Sequence, residues 1–171
     1  MTDVPNDKLG DSSEGMHGAV PSDLTADVPT DVELLAARIA NVSAQWSSAV
    51  TKSVAAGKRQ ADLRGGLHAD IREGLSLGVE GIREGWLIHS GASRVLNANV
   101  SGGLSLLVGD YCYAAGLCDV AGAGDLDAVS TLADLIATVA ELALEAPRDG
   151  NAPDPRTLAW DEALAQLGPK D

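Results

Sequence analysis

The sequence has no phenylalanine, and aromatic residues account for only 3% of its 171 positions. Its apolar residues, 45% of the total, are mostly alanine, leucine and valine. Small aliphatic side chains of this kind favour closely packed helices over an aromatic-rich β-sandwich. Long runs that alternate between apolar and polar residues, which would predict strands, are also missing. We therefore expect an all-α fold, an antiparallel helical bundle.

Lysine and arginine are scarce: 12 basic residues stand against 25 acidic ones, and the formal net charge is -13. Proteins bind nucleic acid largely by neutralising phosphates with basic side chains, so this balance argues against a DNA or RNA partner. It also disfavours docking on anionic lipid. The simplest consequence of the negative charge is that it keeps the protein soluble.

Residues that ligate metals or act as nucleophiles are few. Cys112 and Cys118 are six residues apart, which on a helix points them in different directions. None of the three histidines has an acidic residue three or four positions later, as a helical metal motif requires. The sequence therefore predicts no metal site and no catalytic residues that would suffice within this chain.

The N-terminus has neither the basic patch nor the apolar run of a secretion signal. No stretch of eighteen uncharged apolar residues occurs, so no membrane span is predicted. Two thiols in the whole chain fit a reducing compartment better than a disulfide framework. We expect a cytoplasmic protein.

Composition divides the chain into three parts. Residues 1–29 carry six acids and one lysine but few residues able to anchor a core, which predicts a disordered acidic arm. This arm is either a solubilising tail or a docking or sorting peptide. Residues 30–146 are expected to form the helical bundle domain. Residues 147–171 are expected to be a Pro-rich linker and a short C-terminal helix.

Capping signals and apolar spacing predict the individual helices. Thr30 and Glu33 form a capping-box pattern, and apolar residues at spacings of three and four continue to Val54, which predicts one long first helix. Asp125 and Asp154 are predicted to be the N-caps of two later helices. The remaining predicted helices are Val79–His89 and Leu104–Cys118.

Several polar residues on these helices allow both a structural and a functional interpretation. His89 continues an apolar face and is expected to be a hydrogen-bonded core histidine. Asp110, the only charge in an apolar helix, is expected to be buried, as a structural hydrogen-bond acceptor or as a site residue. A cationic group either binds a phosphate or an acidic partner, or pairs with nearby glutamates on a solvated face. That group is Lys58, Arg59, Arg64, Arg72 and Arg83.

Two motifs lie between residues 79 and 146. The first is Leu87-Ile88-His89-Ser90; the second is Leu107-Val108-Gly109-Asp110-Tyr111, which follows the small and polar stretch 97–103. Together they resemble the trans-type polyprenyl (isoprenyl) diphosphate synthases, with their Ile-His helix and their Gly-Asn…Leu-x-Gly-Asp-Tyr/Phe helix. The resemblance covers about two-fifths of the chain. It implies the N-terminal part of the isoprenoid synthase fold.

The sequence departs from this family at its first aspartate-rich motif, His-Asp-Asp-x-x-Asp, whose carboxylates bind the Mg²⁺ that holds an allylic diphosphate. No carboxylate lies between His89 and Asp110, and the chain ends before the family's second aspartate-rich motif. Two alignments are possible. With His89 as the motif's histidine, the carboxylate positions read Ser90, Gly91, Ala92, Ser93 and Arg94. With Ile88-His89 as the family's earlier Ile-His, they fall near Leu96 and Asn97.

A third segment, Ala56-Gly57-Lys58-Arg59, is similar to the family's Gly-Gly-Lys-Arg diphosphate-binding motif. The resemblance makes Lys58 and Arg59 candidate phosphate-binding residues. The distance from this segment to His89 suits the second alignment better than the first.

The family includes heterodimeric synthases in which a short non-catalytic subunit shapes the product length of a catalytic partner. The resemblance implies that role here, in isoprenoid biosynthesis, with a full-length prenyl diphosphate synthase as partner and Mg²⁺ expected only in that partner. It also implies a subunit contact around the second motif, with candidates Leu104, Leu107, Val108, Asp110 and Tyr111. The alternatives are a stand-alone helical scaffold, which we expect to form a homodimer, and an isoprenoid-binding protein.

Overall fold

The computed structural model describes residues 29–51, 71–72, 74–144 and 154–169. These residues form six helices and no strand, which confirms the all-α class. The helices are α1 Asp31–Ala40, α2 Ala44–Ala49, α3 Ser76–His89, α4 Gly102–Gly122, α5 Leu126–Leu144 and α6 Pro155–Gln166. The likeness to the isoprenoid synthase fold stays a prediction.

Helices α3 and α4 pack against each other along glycine residues. Gly78 of α3 faces Gly116 and Val120, whereas Gly85, two turns later, faces Gly109, so the two helices run antiparallel. A Cβ atom at Gly116 would lie 2.5 Å from the carbonyl oxygen of Gly78. Because glycine has no Cβ, the two backbones approach more closely than larger residues would allow.

The described core has two apolar clusters, and α3 and α4 contribute residues to both. One cluster joins α3 to α5 and α6 through Ile82, Leu132 and Trp160. The other joins α1 to α4 and to the loop after α3, through Leu35, Ile39 and buried partners in those elements. An ion pair of 2.5 Å between Arg38 and Asp119 further ties α1 to α4. The helices are thus held mainly by burial of small aliphatic side chains.

The prediction of one helix from Thr30 to Val54 is wrong, although its capping box at Thr30 and Glu33 is confirmed. The first helix ends at Ala40. A second begins after Ser43, whose hydroxyl accepts a hydrogen bond from the backbone N–H of Trp46. Val50 then becomes extended and forms a β-bridge with Leu96. The cap at Ser43 and the pairing of Val50 with Leu96 therefore break the long helix that apolar spacing alone predicts.

The C-terminal helix packs on α5 instead of standing apart from the bundle. Asp154 caps it through a 3.0 Å bond from Arg156 N–H, and Asp125 accepts a similar bond from Ala128, so both predicted caps are confirmed. Trp160 is buried in the same cluster as the α5 residues. The predicted acidic arm up to residue 28 and the predicted linker at 147–153 lie outside the described residues.

Candidate functional site

The loop after α3 holds the positions at which the family resemblance would place metal-binding carboxylates. It starts with Ser90, Gly91 and Ala92, which are exposed, and Gly91 has a φ of 75°, a left-handed conformation that favours glycine. The chain then turns inward. Ser93 is half-buried and Arg94 is buried, with only 3% of its surface exposed.

Arg94 lies in a cluster of buried charges with two glutamates of α3. Its Nη2 donates to Oε2 of Glu80 at 2.6 Å, and its Nε donates to Oε2 of Glu84 at 2.8 Å. The other oxygen of Glu84 accepts bonds from the Ser93 hydroxyl at 2.7 Å and from the backbone N–H of Arg94 at 2.8 Å. The guanidinium therefore neutralises carboxylates of its own chain.

The two glutamates favour the charged form of Arg94. Burial by itself lowers the pKa of the Arg94 guanidinium, but the charges of Glu80 and Glu84 and their hydrogen bonds outweigh it, so the pKa is raised. A buried charge is tolerated only when it is paired in this way. One of the two interpretations of the cationic group placed Glu80 and Glu84 on a solvated face, but both are buried. Their four-residue spacing shows that they share a helix side, but nothing local shows that this side is buried.

Leu96 and Asn97, the positions of the second alignment, connect the loop to α2. Leu96 is buried and forms the β-bridge with Val50. The backbone N–H of Asn97 donates to the carbonyl of Ala49 at 2.8 Å, and its side-chain amide donates to the carbonyls of Ser48 and Val50. Both positions therefore have structural contacts within the chain.

His89 lies at the end of α3, against α4. Its Nε2 is 3.2 Å from Oδ1 of Asp110, and its ring stacks on Tyr113 with ring centroids 5.3 Å apart. A Cβ atom at Gly109 would lie 2.7 Å from Nε2 of His89, so a side chain there would displace the imidazole. Burial, with the charge of Asp110 as a second cause, raises the pKa of Tyr113 to about 12.

The expected burial of Asp110 is wrong, because 71% of its side chain is exposed. The apolar helix around it suggested a core position, but Asp110 lies at the edge of the contact with α3, where it reaches His89 and leaves most of its side chain in solvent. The expectation that His89 is a core histidine is also wrong, because the residue as a whole is exposed, and Asp110 is its near polar neighbour.

The five predicted subunit-contact residues point in different directions. Val108 is fully buried in the core, and Leu104 and Tyr111 are half-buried, Tyr111 with its ring edge against Trp46. Leu107 and Asp110 are exposed. Leu106, which sequence reasoning missed, is also 55% exposed, next to Leu107 at 59%. The exposed residues form an outer side of α4 that also includes Ala114, Cys118 and Ala121.

Helix α4 is also, by length and composition alone, long and apolar enough to cross a bilayer. Core helices of soluble proteins meet the same criterion, and one side of α4 is packed on α3 through glycine contacts.

The remaining candidate residues are described only in part. Lys58, Arg59 and Arg64 lie outside the described residues, while Arg72 pairs with Asp125 at 2.7 Å and Arg83 is buried. Both cysteines are free; Cys112 is buried, and burial followed by the charge of Glu84 raises its pKa to about 12. In the part of the chain that the structure describes, no three His, Cys, Asp or Glu side chains are grouped so as to hold a metal ion.

Comparison with known proteins adds no relative from which a role could be transferred: no family model, curated protein or solved structure matches this chain. The family resemblance therefore rests on the residues of the two motifs and of Ala56–Arg59.

Proposed function

We propose that this chain is a non-catalytic subunit of a heteromeric polyprenyl diphosphate synthase, and that it binds a full-length catalytic partner through the outer side of α4. One observation carries the proposal. The segment that resembles the synthases contains a 21-residue helix whose outer side is apolar and exposed, with Leu106 and Leu107 more than half accessible. Asp110 is the only charged residue on that side.

The size of this surface supports a protein contact. A helix of 21 residues is about 30 Å long, comparable to one dimension of a standard interface. Covering the exposed half of each leucine contributes roughly 1 kcal/mol. Leucines and small residues side by side also allow a second helix to approach closely.

The loop after α3 supports a non-catalytic role. Ser93 and Arg94, at positions where the first alignment expects the aspartate-rich motif, are bonded to Glu84. A cation that is already paired with two buried glutamates of its own chain contributes little to binding a diphosphate. Mg²⁺ and the diphosphate would therefore be held by the partner, while this chain shapes the complex.

The decisive experiment combines the purified chain with a full-length trans-type polyprenyl diphosphate synthase of the same organism. Complex formation is measured by size-exclusion chromatography with light scattering, and product chain length by mass spectrometry with Mg²⁺ and an allylic diphosphate. We expect a stable complex and a changed product length. Turnover by this chain alone with Mg²⁺, or no complex with any such synthase, would contradict the proposal.

Matched variants locate the contact. Leu107→Glu places a charge on the outer side of α4, and Leu158→Glu places one on α6, where the leucine is similarly exposed at 56%. We expect Leu107→Glu to weaken the complex at least tenfold, roughly the effect of burying a charge in an apolar interface, and Leu158→Glu to leave it unchanged. A homodimer that is lost in Leu107→Glu and indifferent to added synthase would instead favour the stand-alone scaffold.

A further inference from the structure

Asp110, the only charged residue on the outer side of α4, lies beside a histidine of α3. Its Oδ1 is 3.2 Å from Nε2 of His89, within the reach of a hydrogen bond or an ion pair. The carboxylate side chain is 71% exposed and the histidine side chain 28% exposed, so water reaches both groups. The contact therefore lies at the edge of the surface that we propose for the catalytic partner.

Two residues of α4 position the imidazole beside this carboxylate. The ring of Tyr113 stacks on the ring of His89, with centroids 5.3 Å apart and planes 14° apart. Gly109 leaves room for the imidazole, because a Cβ atom there would lie 2.7 Å from Nε2. The face of an aromatic ring also attracts a cation, so this stacking favours a protonated imidazole. The packing of α3 on α4 thus sets the distance between Nε2 and the carboxylate.

His89 is the group at this contact whose charge changes near neutral pH. Among the described residues, the titratable groups at His89 are Asp110 and Tyr113, both on α4. Histidine ordinarily changes charge between about pH 5 and 8, whereas burial raises the pKa of Tyr113 to about 12 and keeps its phenol neutral. Residues 90–92 of the following loop are uncharged, and Arg94 is turned inward to the glutamates of α3. Protonation of His89 therefore decides whether Asp110 faces a cation.

Water weakens this pair in the free chain, and a bound partner would remove that water. An exposed ion pair contributes little, because solvent screens it. A protein that covers the outer side of α4 desolvates Asp110, and an unpaired carboxylate in an apolar interface costs free energy. A protonated imidazole at 3.2 Å offsets that cost, since the attraction between the two charges grows as the local dielectric constant falls.

We infer that His89 and Asp110 make partner binding at the outer side of α4 dependent on pH, with the tighter complex at the lower pH. The inference rests on the proposed function, which supplies a partner for this surface. Proton binding and partner binding are coupled in both directions. The complex is tighter when His89 carries a proton, and formation of the complex takes up protons from solvent near neutral pH.

The test measures the affinity of the full chain for a full-length polyprenyl diphosphate synthase at about pH 6 and about pH 8, the range in which histidine changes charge. We expect the dissociation constant to be roughly fivefold to tenfold lower at the lower pH, the effect of giving one interfacial carboxylate a cation. Equal affinity at both values would overturn the inference and leave the proposed function standing. Absence of a complex at either pH would contradict the proposed function, and the inference with it.

Matched variants assign the effect to this pair. His89→Gln keeps a hydrogen-bond donor but takes up no proton, and Asp110→Asn keeps the side-chain shape without the charge. We expect both variants to lose the pH dependence, with Asp110→Asn the tighter binder because it has no charge to desolvate. His68→Gln, which removes a histidine elsewhere in the sequence, is the control and should keep the dependence. A dependence that persists in either variant of the pair would overturn the inference.

Calorimetry in two buffers of different ionisation enthalpy measures the protons directly. The difference in binding heat gives the number of protons taken up when the two proteins associate. We expect greater uptake with wild type than with Asp110→Asn or His89→Gln; the synthase is the same in each titration, so its own groups contribute equally. Asp110 is mostly exposed, so Asp110→Asn remains informative if His89→Gln disturbs the packing on Tyr113. Equal uptake by wild type and Asp110→Asn would mean that His89 has only a structural role.

Discussion

Arg94 donates from Nε to Oε2 of Glu84 at 2.8 Å, and the two side chains are only 4% and 0% exposed. The arginine belongs to the loop after α3, and the glutamate belongs to α3 itself. Their contact closes the loop onto the helix and buries part of the segment that the first alignment matches to the family's metal-binding motif.

Removal of this guanidinium should destabilise the fold strongly. In Arg94→Ala, the buried Glu80 and Glu84 both lose the guanidinium that pairs with them, which costs about 3–5 kcal/mol in the free energy of unfolding. Arg94→Lys keeps the charge but loses the two-armed geometry, so an intermediate loss is expected. Urea unfolding followed by circular dichroism measures both. Arg156→Ala is the control, because it breaks a more exposed ion pair, and it should lower the free energy of unfolding by less than about 1 kcal/mol. A loss as large as that of Arg94→Ala would contradict this account.

The glycine contact between α3 and α4 should tolerate no side chain at its centre. A Cβ in Gly116→Ala would approach the carbonyl of Gly78 and the side chain of Ile82 at 2.5 and 2.7 Å. The helices must separate, and we expect a loss of about 1–3 kcal/mol. Gly122→Ala is the matched control on the same helix, because a Cβ there meets nothing within 4 Å. Thermal melting of both variants measures the loss. Comparable melting temperatures would mean that the close approach of α3 and α4 does not contribute to stability.

The two cysteines should differ sharply in reactivity. Cys118 is exposed, whereas Cys112 is buried and its pKa is raised to about 12, so almost none of it is the reactive thiolate at neutral pH. Iodoacetamide should therefore modify Cys118 alone in the folded protein and both residues in urea. Peptide mass spectrometry identifies the modified residue. Rapid labelling of Cys112 without denaturant would show that α4 does not bury it.

The capping carboxylate of α6 should contribute a pH-dependent part of the stability. The hydrogen bond from the Arg156 side chain lowers the pKa of Asp154 in the folded protein from its ordinary value of 3.8. The unfolded chain therefore takes up this proton first as the pH falls, so the contribution is present above 3.8 and is lost as the pH drops through the folded value.

Asp154→Asn isolates this contribution, because asparagine still caps a helix but carries no charge. We expect wild type to melt at a higher temperature than the variant near neutral pH, with the difference shrinking below 3.8. Calorimetry across this range measures it. A difference that stays constant down to the most acidic point would contradict the assigned role of Arg156.

The features that were predicted correctly are those set by neighbouring residues. Thr30, Asp125 and Asp154 cap helices within three positions of themselves, and their caps are confirmed. The absence of runs that alternate between apolar and polar residues also reflects local preference. It predicted an all-α fold, and the described residues contain no strand. The long first helix failed because its break depends on Val50 pairing with Leu96, far along the chain.

Only part of the candidate site could be predicted from the sequence. The missing carboxylates after His89 are visible in the residue types alone, and so is the apolar character of α4. Which side of α4 is exposed is not, since Val108 and Leu107 are neighbours and yet one is buried and the other 59% exposed. That difference depends on which side of α4 is covered by the cluster of α1, α2, the end of α3 and the loop after it.

For this protein, local sequence determined the helical class, the helix caps and the lack of a metal-binding carboxylate pattern in one segment. Each of these depends on backbone preference and on side-chain chemistry within a few residues. Only the tertiary structure decided that Arg94 is buried against Glu80 and Glu84, and that Asp110 faces outward. Burial is a property of how helices pack, because contacts between residues ten or more positions apart determine which side chains lose their water.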